Sequence, residues 1–259
     1  AGAHDVAVNW SDEEFSHIRF RQAPAARFRE FPAWRKTFYD ESAAQGAAFI
    51  SIAAENPDLF SDVDPKRLTE AGQTAGKALQ GYRARLMSNQ NTWCVVSVPT
   101  PAWACKVFPH ETEETAVVRL WTEILRAVRV SEESDPVAAW KEHVSALQKT
   151  ADFLNAHDFL ELHYRNGLGT DLHVELPKGH IWMGGAERAA SGTMFVANIP
   201  TEEVYTLPKR DGVNGVVVAS KPLHYNGNLI AGFSLTFRAG KVTDYHAESG
   251  EKHLRELLQ

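Results

Sequence analysis

Over residues 1–157 the chain alternates between two hydrophobic patterns. In one, apolar side chains recur at helical spacing, as Val117, Leu120, Trp121, Ile124, Leu125 and Val128 do, and again Trp140, Val144, Leu147 and Leu154. A stripe of that period lays one helix face on a core. In the other, short apolar runs at residues 48–53 and 92–98 sit between turn signals, as buried parallel strands do. Residues 5–10 read as one more short strand. Helices are predicted over 11–21, 34–48, 66–87, 101–108, 110–128 and 136–156. Ser11 with Glu14 reads as a capping box, Gly46 as a helix stop, and Pro65 and Pro136 as first-turn prolines.

From Asp158 the pattern changes. Runs with strand character follow at 159–164, 171–176, 180–183, 192–197, 215–219, 230–237 and 241–245, separated by turns, with a closing helix over 248–258. The expected fold class is therefore α/β. A domain with a mainly parallel sheet, residues 1–157, precedes a β-rich α+β second domain, residues 158–259.

Composition narrows the function classes. A hydrophobic content of 44% and a charged content of 23% are those of a globular protein, and the formal net charge is -6. No basic stripe exists to neutralise phosphates, so no nucleic-acid partner is expected. No long uncharged apolar run is present, so no membrane span is expected. Cys94 and Cys105 lack zinc-knuckle spacing and read as reduced thiols of a cytoplasmic protein. Gly167-Leu168-Gly169 is too short for a nucleotide-binding loop and precedes Thr-Asp, not a helix.

Candidate chemistry gathers at Asn198-Ile199-Pro200-Thr201-Glu202-Glu203-Val204-Tyr205-Thr206. Neighbours on an extended backbone point to opposite faces, so one of Glu202 and Glu203 can turn inward while the other meets solvent. An inward carboxylate needs a cation, donors or a proton. The bland alternative is a strand-end Glu pair in water. Asp171, His173 and Glu175 alternate along one strand and share a face; they could cluster on a metal, yet any half-solvated strand looks the same. Glu142 and His143 point about 100° apart on a helix and do not chelate one ion together. His180 reads as a satisfied structural histidine, and Arg27 and Arg29 as a solvated face.

The Pro-Thr-Glu-Glu-Val run, with Asp211-Gly212-Val213-Asn214-Gly215, Ser220-Lys221-Pro222-Leu223, Gly227-Asn228-Leu229-Ile230 and Phe233-Ser234-Leu235-Thr236-Phe237, resembles the thermophilic-type metalloaminopeptidases (aminopeptidases T, S and II). Upstream, Pro101-Ala102-Trp103-Ala104, Gly169-Thr170-Asp171-Leu172 and Gly179-His180-Ile181-Trp182 match as well. The resemblance implies removal of N-terminal residues from peptides by two divalent metal ions, drawn from zinc, cobalt, manganese or magnesium. It implies Glu203 as one carboxylate ligand, a homodimer and a cytoplasmic location. The family's other ligands belong to Gly-Glu-Val, Ser-His and His-Val-Asp motifs. The sequence reaches Gln259 before any of them and starts at Ala1, so it is expected to be a segment of a longer enzyme. The alternative is a non-catalytic module that dimerises or gates a catalytic region.

Overall fold

The computed structural model describes residues 2–225 and 228–258. Residues 5–10 carry no regular structure and are exposed, against the short strand expected there. Helix α1 (Glu13–Gln22) starts one residue later than the capping box predicts. Asp12, not Ser11, is the cap, its Oδ1 accepting from the Phe15 N–H at 2.9 Å. Helix α2 (Ala33–Ala44) ends ahead of Gly46, which takes φ 82°, a conformation open to glycine. Strand β1 (Phe49–Ala53) follows.

The helix expected over 66–87 is two helices, α3 (Pro65–Ala78) and α4 (Gln80–Met87), interrupted at the buried Leu79 with φ -99° and ψ 16°. Gly76 and Gly81 flank the break and weaken helix propensity on both sides. Strand β2 (Trp93–Ser97) pairs parallel with β1, as predicted, with Ser51 opposite Val95. Buried Asn91 ties the sheet to α2. Its Nδ2 donates to the carbonyls of Ala43 (2.9 Å) and Ala47 (3.0 Å), and its Oδ1 accepts from Arg85 Nε at 3.1 Å. Helices α5 (Pro101–Val107), α6 (Glu113–Ala127) and α7 (Pro136–His157) complete the helical part. Thr112 caps α6 and puts Glu113 and Glu114 in its first turn. Ala104, Ala116 and Leu120 form a core between α5 and α6.

Helix α7 ends at Asp158, in the left-handed region at φ 43°. Strands β3 (Glu161–Arg165) and β4 (Asp171–Glu175) then pair antiparallel. Four two-residue strands follow: β5 (Met183–Gly184), β6 (Glu187–Arg188), β7 (Met194–Phe195) and β8 (Val204–Tyr205). They pair β5 with β8 and β6 with β7. The main sheet is closed by β9 (Val213–Val218), β10 (Leu223–Tyr225), β11 (Asn228–Arg238) and β12 (Lys241–Ser249), and α8 (Glu251–Leu258) ends the chain's described part. Its strands run in the order β10-β11-β9-β4-β3, with β12 also on β11, and all neighbours are antiparallel. Ile230, Ala247 and Leu254 bury α8 against it. The fold is thus α/β, with a two-stranded parallel sheet, a six-stranded antiparallel sheet and two small antiparallel pairs. Gly227 of the Gly227-Asn228-Leu229-Ile230 run lies outside the described residues.

Candidate active site around Thr201 to Tyr205

The Glu202–Glu203 segment is placed by the parallel sheet. Val95, in the middle of β2, makes a parallel bridge to Asn198. Its N–H donates to the Ala197 carbonyl at 2.8 Å, and its carbonyl accepts from the Ile199 N–H at 3.0 Å. The chain after residue 158 therefore returns to the first sheet and leaves it beyond the carboxyl end of β2. Open α/β sheets bind ligands at that edge. The Ile199–Pro200 bond is cis. Ile199 and Pro200 wall a hollow of about 250 Å³ with Ser97, Trp103, Ile124 and Val128.

Two groups from the helical part then hold the segment. His143 on α7 is largely buried and donates from Nε2 to the Thr201 carbonyl at 2.7 Å. Its Nε2 also lies 3.6 Å from Glu202 Oε2. Arg129, just past α6 at φ 57°, grips Glu202 with both terminal nitrogens, Nη1 to Oε1 at 2.8 Å and Nη2 to Oε2 at 3.0 Å. Its guanidinium sits 5.5 Å from the Trp140 ring centre, and Trp140 Nε1 donates to the Val128 carbonyl at 2.7 Å. The Arg129 hydrogen bond holds the Glu202 carboxyl below the usual carboxylate range; its charge and that of His143 act in the same direction. The sequence alone assigns Arg129 no role and treats His143 as core or surface, because both reach the segment across a gap of many residues.

Glu202 and Glu203 are both exposed, so neither is the inward carboxylate expected from strand alternation. The reason is local. Their segment runs along the surface of α7, and Val204 is the side chain that turns to the core of Ala151, Leu176 and Trp182. Among the described residues Glu203 has no hydrogen-bond or ion-pair partner. Its backbone is held firmly: Gly184 lies opposite Val204, and a Cβ at Gly184 would stand 2.8 Å from the Glu203 carbonyl oxygen. The Tyr205 hydroxyl reaches Glu187 Oε1 at 3.4 Å, and Glu187 Oε2 accepts from Asn89 Nδ2 at 2.6 Å. Burial first, then the charges of Glu187 and Glu203, push the Tyr205 phenol above its ordinary value.

Glu203 joins no three-residue group of His, Cys, Asp or Glu among the described residues; the one such group is His163, Asp171 and His173. Glu175 stays outside it, paired to Lys209 at 2.6 Å. His180 is satisfied by the Pro177 carbonyl at 3.0 Å. Both cysteines are free, and burial raises the Cys94 thiol.

The family model described as thermophilic metalloprotease (M29) matches residues 1–259. The chain belongs to this family. It is 49% identical over 257 residues to aminopeptidase 2 of Geobacillus stearothermophilus, which covers 99% of this chain and 62% of that relative. It is 45% identical to aminopeptidase AmpS of Bacillus subtilis, again over 62% of the relative's length. The fold agrees: wild-type AmpT from Thermus thermophilus superposes with a TM-score of 0.87 at 34% identity, over 96% of this chain and 61% of that one. The chain thus spans less than two thirds of the M29 relatives it matches. M29 membership supports a divalent metal requirement. A lone carboxylate at Glu203 fits one hard oxygen ligand of such a centre and does not complete it.

Proposed function

We propose that this chain forms part of a metal-dependent aminopeptidase that removes N-terminal residues from peptides, with Glu203 as one carboxylate ligand of a two-metal centre. The observation that carries the ligand assignment is the division of labour between the two adjacent acids. Glu202 is consumed by Arg129, and Glu203, on the same anchored segment, is left without a hydrogen-bond or ion-pair partner among the described residues. Bound divalent ions supply Lewis acidity for attack on a carbonyl. Arg129 keeps Glu202 ionised and turned away from Glu203. His143 fixes the Thr201 carbonyl and so the backbone from which Glu203 projects. The Gly184–Val204 contact sets the other side.

On this reading the remaining ligands come from the part of the relatives' length that this chain does not span, and the ions are drawn from zinc, cobalt, manganese and magnesium. The division at 157/158, a homodimer and a cytoplasmic location belong to the same reading. Exposed apolar side chains, Trp34, Ile50 and Ile52 among them, support a contact surface, and the two free thiols support a reducing compartment.

The test is metal content. Glu203→Gln in the full-length protein is expected to lose at least one bound ion per chain and peptide hydrolysis with it. Glu202→Gln is expected to keep its metal. Full loading of Glu203→Gln would remove the ligand assignment.

A further inference from the structure

We propose that His163, Asp171 and His173 bind one late first-row divalent cation of the zinc class. Their donor atoms all lie within 4.8 Å of one another, and none of them belongs to the Glu203 segment. The three residues stand on adjacent strands of the main sheet. His163 and His173 are cross-strand partners, and Asp171 sits two residues from His173 on the same face. The imidazoles stack with centroids 3.9 Å apart and planes 19° apart.

The hydrogen bonds around the trio already arrange it as a ligand set. Glu161 Oε1 lies 2.7 Å from His173 Nδ1. A carboxylate accepts only, so Nδ1 carries the proton and the Nε2 lone pair is left free. That lone pair lies 3.9 Å from Asp171 Oδ1, with no proton assigned between two acceptors. Carboxylate–histidine contacts of this kind orient metal-bound imidazoles. On the other side, Arg165 Nε stands 3.7 Å from Asp171 Oδ2, which leaves Oδ1 for the ion.

The closest pair is His163 Nε2 and Asp171 Oδ1, at 2.6 Å. Zinc bonds of about 2.1 Å in a tetrahedron set donors about 3.4 Å apart. On binding, the 2.6 Å pair opens, the 3.9 Å pair closes, and the two rings turn out of their stack so that both lone pairs meet at one ion. His163 exchanges its Nε2–H tautomer for the Nδ1–H form, so the proton stays on the ring. Two imidazole nitrogens and one carboxylate oxygen favour zinc, nickel or copper over magnesium or calcium, and water completes the shell.

The experiment titrates the metal-stripped protein with zinc chloride against a chromophoric chelator, and follows imidazole nitrogens by long-range proton–nitrogen NMR. Zinc is expected to shift Nε2 of His163 and His173 together, with His173 protonated at Nδ1 before and after. His173→Asn and Asp171→Asn are expected to weaken this zinc about 100-fold or more, and Glu161→Gln about 10- to 100-fold. Glu203→Gln is expected to leave these two histidine signals responding as in the wild type. The NMR arm needs no variant. Unmoved His163 and His173 signals at saturating zinc, or unchanged affinity in a folded His173→Asn, would overturn the proposal.

Discussion

Replacing Arg129 with alanine isolates the clamp on Glu202. The magnitude follows from exposure. The Glu202 side chain is 62% exposed and that of Arg129 27%, so the pair is mostly in water despite its two-point geometry. Such pairs are worth about 0.2–1 kcal/mol. The guanidinium over Trp140 adds about 0.5–1 kcal/mol. Arg129→Ala is therefore expected to cost about 1–2 kcal/mol in urea unfolding near neutral pH. The pH dependence separates the two parts. The folded state lowers the Glu202 carboxyl, so its contribution is complete above the ordinary glutamate range and disappears as acid titrates through the lowered value. The gap between wild type and Arg129→Ala should narrow over that window to the Trp140 part alone. Arg129→Gly deletes the same contacts but relaxes the φ of 57°, and should cost about 1 kcal/mol less than alanine. A gap that does not change on acidification, or a double-mutant cycle with Glu202→Gln that shows no coupling, would refute the clamp.

Two further substitutions test how the site is carried. Asn91→Ala leaves the carbonyls of Ala43 and Ala47 and Arg85 Nε without their partner in a buried position; it should cost about 3 kcal/mol by chemical denaturation. A loss under about 1 kcal/mol would mean that water replaces the side chain. Gly215→Ala would set a Cβ 2.2 Å from the Asp171 carbonyl oxygen at φ 112°, where the strand cannot yield without losing β4–β9 pairing. It should cost about 3 kcal/mol or more and weaken hydrogen-exchange protection along β4; wild-type protection there would contradict this.

The errors in reading the chain have local causes. The break at Leu79 is one residue long and lies inside a run whose apolar period continues across it, so periodicity reports one helix. The α1 cap moved from Ser11 to Asp12 because both side chains can accept from the first turn. The rule that adjacent strand residues face opposite ways was sound, but β8 begins at Val204, so it does not govern Glu202 and Glu203. Asp171, His173 and Glu175 do share a face. Which of them meet was set by β3, whose His163 and Glu161 arrive from across the strand pair.

By itself the sequence determined the helical period, the two parallel strands, the change to a strand-rich pattern after Asp158 and the family motifs. All of these depend on residues close together in the chain, where spacing and turn chemistry act directly. Only the tertiary structure decided that Arg129 occupies Glu202, that His143 holds Thr201, and that His163 completes a trio with Asp171 and His173. The first two of these contacts join residues 73 and 58 positions apart. Such partners are selected by how helices and sheets pack, and a one-dimensional pattern carries no record of that.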